Sequence, residues 1–205
     1  WQSMFVDYPY TGNLREDLVG IAKTQVGYAE SKLNFEAGDN GVRHGYTRYG
    51  AWYGAPYKDW SAMFVSFCRS FAGAESEEFP NSSGAASMAE LWKEQKKYIQ
   101  AGDYVPQSGD IVFFDNNTAG IVSEVHNATF CVICGDMENS VASKVVSLND
   151  SSITGWGITD EKKVQIQQPS DWYIRDVSNG PAVYIFEGGS ARSAPQTSKH
   201  SLKAV

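Results

Sequence analysis

The sequence predicts an α+β domain in which helices come first and cover one side of an antiparallel sheet. Three observations carry that prediction. Apolar residues recur at helical spacing in three segments of the N-terminal half, the period changes to two from Asp110 onward, and the later connections are too short for the crossovers of a parallel sheet.

The first helix is expected from Asn13 to Val26. Leu14, Leu18, Ile21, Ala22 and Val26 fall at helical spacing, and Asn13 with Glu16 makes a capped start. Between Gly27 and Tyr57 this spacing breaks, and the stretch GVRHGYTRYGAWYGAPY, full of turn formers and aromatics, predicts a long ordered loop. A second helix, buried and central, is expected from about Trp60 to Ala72. Phe64, Val65, Cys68, Phe71 and Ala72 share one of its faces, and Asp59 is placed to cap it. A third is expected from Gly84 to Gln100, with Met88, Leu91, Trp92 and Tyr98 on it and a stop at Ala101, Gly102 and Asp103.

Period-two runs rich in β-branched and aromatic residues then follow, at Asp110–Phe114, Ala119–Val125, Thr129–Cys134 and Val141–Leu148. Asn-, Gly- and Asp-containing turns separate them, so they read as a meander that Gly155–Ile158 closes. The domain so defined spans residues 1–160. Residues 161–187 read as a β extension or the start of a following module, with strands at Val164–Gln167, Trp172–Val177 and Ala182–Phe186. Residues 188–205 read as a polar linker.

A chain of 205 residues, 42% hydrophobic and 13% aromatic, has enough apolar surface for a packed core. Its 24 acidic and 17 basic side chains leave a net charge of −7 with the signs mixed, so no basic stripe is present to neutralise phosphates and nucleic acid is not an expected partner. No apolar run approaches the roughly 20 residues a membrane span needs. The opening at Trp1 reads as that of an excised fragment. Cys68, Cys131 and Cys134 match neither a disulfide framework nor a zinc site. Cys131 and Cys134 have C-x-x-C spacing but lie along an apolar run, where they read as small hydrophobes, so neither metal nor cofactor is expected.

A helix with a polar residue at its start, packed on an antiparallel sheet, is how papain-like enzymes display a nucleophile whose base comes from a neighbouring strand. The segment DWSAMFVSFCRSFAG, preceded by TRYGAWYG and followed by GDIVFFDNNTAGIVSEV and ITGWGI, resembles the CHAP family of cysteine- and histidine-dependent amidohydrolases over about Asn13 to Ile158. That resemblance implies a papain-like CHAP/NlpC-type fold, an extracellular setting on or outside a Gram-positive bacterium, and peptidoglycan as the substrate class.

It also implies a site that has lost its chemistry. The family's nucleophilic cysteine follows Asp-Trp, and here Ser61 follows Asp59 and Trp60. The histidine of its His-Val-Gly-Ile-Val strand aligns with Thr118, and the orienting carboxylate of its Ile-Glu-Gly-Asn pattern aligns with Cys134. A serine hydroxyl attacks only when a base takes its proton, and Thr118 cannot serve. An engineered Cys-to-Ser change would account for Ser61 alone, leaving the other two losses. The expectation is therefore a pseudoenzyme without catalytic residues, binding cell-wall peptide or a host or partner protein. A residual amidase using Ser61 and a purely structural domain are the alternatives.

Four side chains stand as rescuers of the chemistry. His44 would need its loop folded inward, His126 reads as an exposed turn residue, Lys58 as solvated, and Cys134 has no histidine placed to activate it. For binding, the aromatic loop offers Tyr46, Arg48, Tyr49, Trp52, Tyr53 and Tyr57, residue types that concentrate binding energy, together with Asp59 and Trp60 at the helix start. Asp59 also reads as a helix cap, and Trp60 with Phe64 and Phe71 as core.

Overall fold

The computed structural model describes residues 5, 7–38, 41–74 and 81–160, and the backbone of three strands at 173–176, 182–187 and 190–193. The chain forms two units, Tyr10–Val164 and a second made of Trp1–Pro9 with Gln165–Val205.

In the first unit, helix α1 (Leu14–Gln25) begins where Asn13 accepts hydrogen bonds from the backbone N–H groups of Arg15 and Glu16. A two-stranded hairpin, β1 (Phe35–Ala37) and β2 (Arg43–Gly45), and a short helix α2 (Arg48–Tyr53) follow. The stretch expected to be a loop thus contains regular structure. Thr47 caps α2 through the N–H of Gly50, and Gly54 ends it at φ 95°, a left-handed position that favours glycine.

Helix α3 (Ser61–Phe71) is buried along nearly its whole length. Helix α4 (Ala85–Glu94) stops six residues short of the predicted Gln100, because Lys96 takes φ 59° and the N–H groups of Lys96 and Lys97 close onto the carbonyls of Lys93 and Trp92. A lysine ends this helix where the sequence offers no glycine. The residues released, Tyr98–Gln100, form strand β3.

The remaining strands are β4 (Ile111–Phe114), β5 (Ala119–Val125), β6 (Thr129–Met137), β7 (Ser140–Ser147) and β8 (Ile153–Gly157). With β3 they make a six-stranded sheet in the order β3-β8-β4-β5-β6-β7, antiparallel at each pairing. The α+β prediction and the meander both hold. In the second unit β9 (Tyr173–Asp176), β10 (Ala182–Glu187) and β11 (Ser190–Ser193) form an antiparallel meander of their own. Ser190–Ser193 therefore pairs as a strand where a linker was expected. The expected strand at 164–167 lies outside the described residues, as do 194–205.

Both faces of the main sheet carry buried apolar residues. Val112, Phe114, Val122, Phe130, Val132, Cys134 and Trp156 pack together on one face. The alternate positions point to the helices: a Cβ added to Gly135 would sit 2.5 Å from Phe64 Cβ on α3, and one on Gly157 would sit 2.9 Å from the Trp92 ring on α4. An Arg15–Asp110 ion pair of 2.8 Å, almost wholly buried, ties α1 to the start of β4. Its carboxylate also accepts from the Tyr104 hydroxyl and from the N–H groups of Gln107 and Thr159, which satisfies the buried charge. No described helix is long and apolar enough to cross a membrane.

Candidate functional site

The sequence placed its site at the start of α3. Trp60 is fully buried and stacks on Tyr49 at 5.2 Å with an interplanar angle of 15°. Tyr28, Phe64 and Phe67 close around Tyr49 edge-on, and the Tyr49 hydroxyl donates to Gln25 Oε1 at 3.1 Å. Arg48 lies over the Tyr28 ring at 4.0 Å. The conspicuous aromatic segment is thus an anchor that fastens α2 onto α3. Tyr49 and Trp60, both binding candidates from the sequence, are core residues that present no surface to a ligand. Tyr46, Arg48, Trp52, Tyr53 and Tyr57 stay half-buried, and Asp59 is exposed. Tyr46 and Tyr57 meet edge-on at 6.0 Å, with the Tyr57 hydroxyl donating to Asn34.

Ser61 opens the helix with little exposure, and its hydroxyl oxygen accepts a long hydrogen bond, 3.4 Å, from the backbone N–H of Ala119 at the start of β5. The strand aligned by sequence does reach Ser61. It is the main chain that meets the hydroxyl, while Thr118 stands half-buried in the turn before β5.

Cys134 is elsewhere. It lies in the apolar cluster on the face away from α3, opposite Gly120, and burial pushes its thiol up to about 12. Ser61 and Cys134 are therefore separated by the sheet itself, so Cys134 can serve neither as an orienting group nor as a displaced nucleophile for this site.

One residue that sequence reasoning passed over sits at the helix start. Asp136, near the end of β6, accepts the Trp60 N–H at 3.0 Å. Asp59, expected to cap the helix, does not: its side chain is 79% exposed and stands 3.6 Å from His44 Nδ1. Helix α3 has no side-chain cap, and the residue that precedes it is held instead by an acceptor 76 residues later in the chain. Burial raises the Asp136 carboxyl from 3.8 to about 6. The Trp60 N–H works against that rise, and the nearby charges of Asp59 and Glu30 reinforce it. The signal in the sequence was Asp136 itself, two residues past the aligned Cys134.

His44, on β2, is brought to Asp59 and so to the mouth of this region. His126 is not: it lies past the far end of β5, roughly 20 Å from Ala119 at about 3.3 Å per strand residue. Lys58 is exposed, as expected.

No family model matches this chain. No curated protein and no solved structure matches it significantly either.

Proposed function

We propose that the Tyr10–Val164 unit is a papain-like, CHAP-type domain that binds cell-wall peptide without cutting it, on the surface of or secreted from a Gram-positive bacterium. The observation that carries the reading is the environment of Ser61. Its oxygen meets a backbone N–H, a group that donates a hydrogen bond and cannot accept a proton, so the contact does nothing to activate the hydroxyl. Position supports the reading too. The serine begins a buried helix on an antiparallel sheet, against the strand whose sequence aligns with the family's histidine strand.

A binding role suits what surrounds it. Tyr46, Trp52, Tyr53 and Tyr57 are only half-buried, and Glu30, Asp59 and Asp136 gather negative charge beside His44. Such a surface favours a peptide that carries an ammonium group near an apolar or ring-bearing portion.

The experiment is muropeptide release from purified peptidoglycan, by this protein and by versions carrying Ser61→Cys alone or with Thr118→His, with a parallel pull-down of labelled wall. Bound and uncut wall with the unmodified chain is the expected result. Release by the unmodified chain would establish the residual amidase instead. Neither binding nor release would turn the reading toward a protein partner or a structural role.

A further inference from the structure

At the opposite end of β5 from Ser61, the β5–β6 hairpin gathers three different metal-ligating groups. The side chains of Glu124, His126 and Cys131 place one donor atom each within 4.8 Å of one another. They come together through a fault in the strand. Val122 pairs with Val132, Glu124 with Cys131 and Val125 with Phe130, so Ser123 is an extra residue, a β-bulge.

Without the bulge, Glu124 would alternate onto the face that holds Val122 and Phe130, an apolar cluster. With it, Glu124 turns to the helix-covered face directly across from Cys131, and Val125 packs against the apolar cluster in its place. His126, two residues on, then falls on the same face as Glu124, and its N–H bonds to the Thr129 carbonyl to close the hairpin.

Glu124 is also oriented. Lys23 Nζ on α1 holds Oε1 at 3.2 Å, while Oε2 faces His126 Nε2 at 3.9 Å. That exposed contact leaves the second carboxylate oxygen turned toward the histidine.

We infer that Glu124, His126 and Cys131 form a site for a borderline-soft divalent cation of the zinc class. A thiolate, an imidazole and a carboxylate together select such an ion over magnesium or calcium, which take oxygen ligands. Three protein ligands leave the fourth tetrahedral position to water or to a ligand. Donors around zinc stand about 3.5 Å apart, so the cluster closes by about 1 Å, which rotation of these accessible side chains provides. Binding displaces protons from the thiol and imidazole and therefore weakens as pH falls. The site is independent of the peptide-binding reading, since the strand separates Ala119 from Glu124 by about 16 Å.

Chelator-stripped protein is titrated with Zn2+ by calorimetry and with Co2+ by absorption, alongside His126→Ala and Cys131→Ala, with melting temperatures to verify folding. The expected result is one ion per chain and a thiolate-to-cobalt charge-transfer band. That band should be lost in Cys131→Ala, and Zn2+ affinity should fall by at least about tenfold in each variant. Cys68 and Cys134 are fully buried and cannot supply the band in its place. No saturable binding below millimolar metal, or binding unchanged in either variant, would overturn the assignment.

Discussion

Replacing Asp136 by asparagine tests the physical account of the α3 start. The carboxyl of Asp136 is pushed up by burial from 3.8 to about 6. Ionising it therefore costs more in the folded chain than in the unfolded one. Relative to this group, stability is greatest below about pH 4, falls as pH rises to about 6, and is flat above that. A gap of about two pH units corresponds to about 3 kcal/mol, and partial exposure reduces this to about 1–2 kcal/mol. Asparagine keeps a carbonyl oxygen for the Trp60 N–H and carries no charge beside Asp59 and Glu30. The variant should gain about 1–2 kcal/mol at pH 7.5, a rise of roughly 2–8 °C in melting temperature, and should lose that advantage near pH 4. Urea midpoints measured from pH 4 to pH 8 read both effects. A variant less stable at pH 7.5, or one that keeps the wild-type slope between pH 4 and 6, would refute the reasoning. A gain would mean that the native chain keeps a costly carboxylate at this position, as binding sites often do.

Asp110→Ala strands Arg15 and removes the acceptor for three further donors, and urea denaturation should show a loss of about 3–5 kcal/mol. Gly135→Ala drives a methyl group against Phe64 and Trp60, so α3 must shift from the sheet. A thermal melt should show a cost of about 1–3 kcal/mol, with altered near-ultraviolet dichroism from the Trp60–Tyr49 stack. Burial raises the Cys68 thiol well above its ordinary range and the Cys134 thiol to about 12, whereas Cys131 is half-buried. A soluble disulfide reagent should thus titrate one thiol quickly in the native protein and all three cysteines in denaturant; rapid reaction at Cys68 or Cys134 would contradict the core packing.

The helices and strands that the sequence anticipated most closely are those whose signals are local. Asn13 accepts the first N–H groups of α1, and the meander follows from alternation and turns. The elements misjudged depend on partners far along the chain. Tyr98–Gln100 reads as helix until its pairing with Gly155–Gly157 is known, and GVRHGYTRYGAWYGAPY reads as loop until Phe35–Ala37 is found across from Arg43–Gly45.

The candidate site divides in the same way. Ser61 at the head of a buried helix follows from apolar periodicity, whereas the strand that reaches it was expected only from the resemblance to the CHAP family. Whether an aromatic faces solvent or core does not. Tyr49 and Tyr57 are the same residue type in one segment, and only the stacking of Tyr49 on Trp60 separates anchor from surface. That helices precede an antiparallel sheet is legible in the order of residues, because hydrophobic spacing and turn chemistry are properties of neighbours in the chain. Packing across the fold brings Asp136 to the Trp60 N–H, walls Cys134 off from Ser61, and lets a single bulged residue turn Glu124 toward Cys131 and His126. Those outcomes rest on which face of a strand a side chain takes and on which distant element covers it, and register fixes both only when the strands pair.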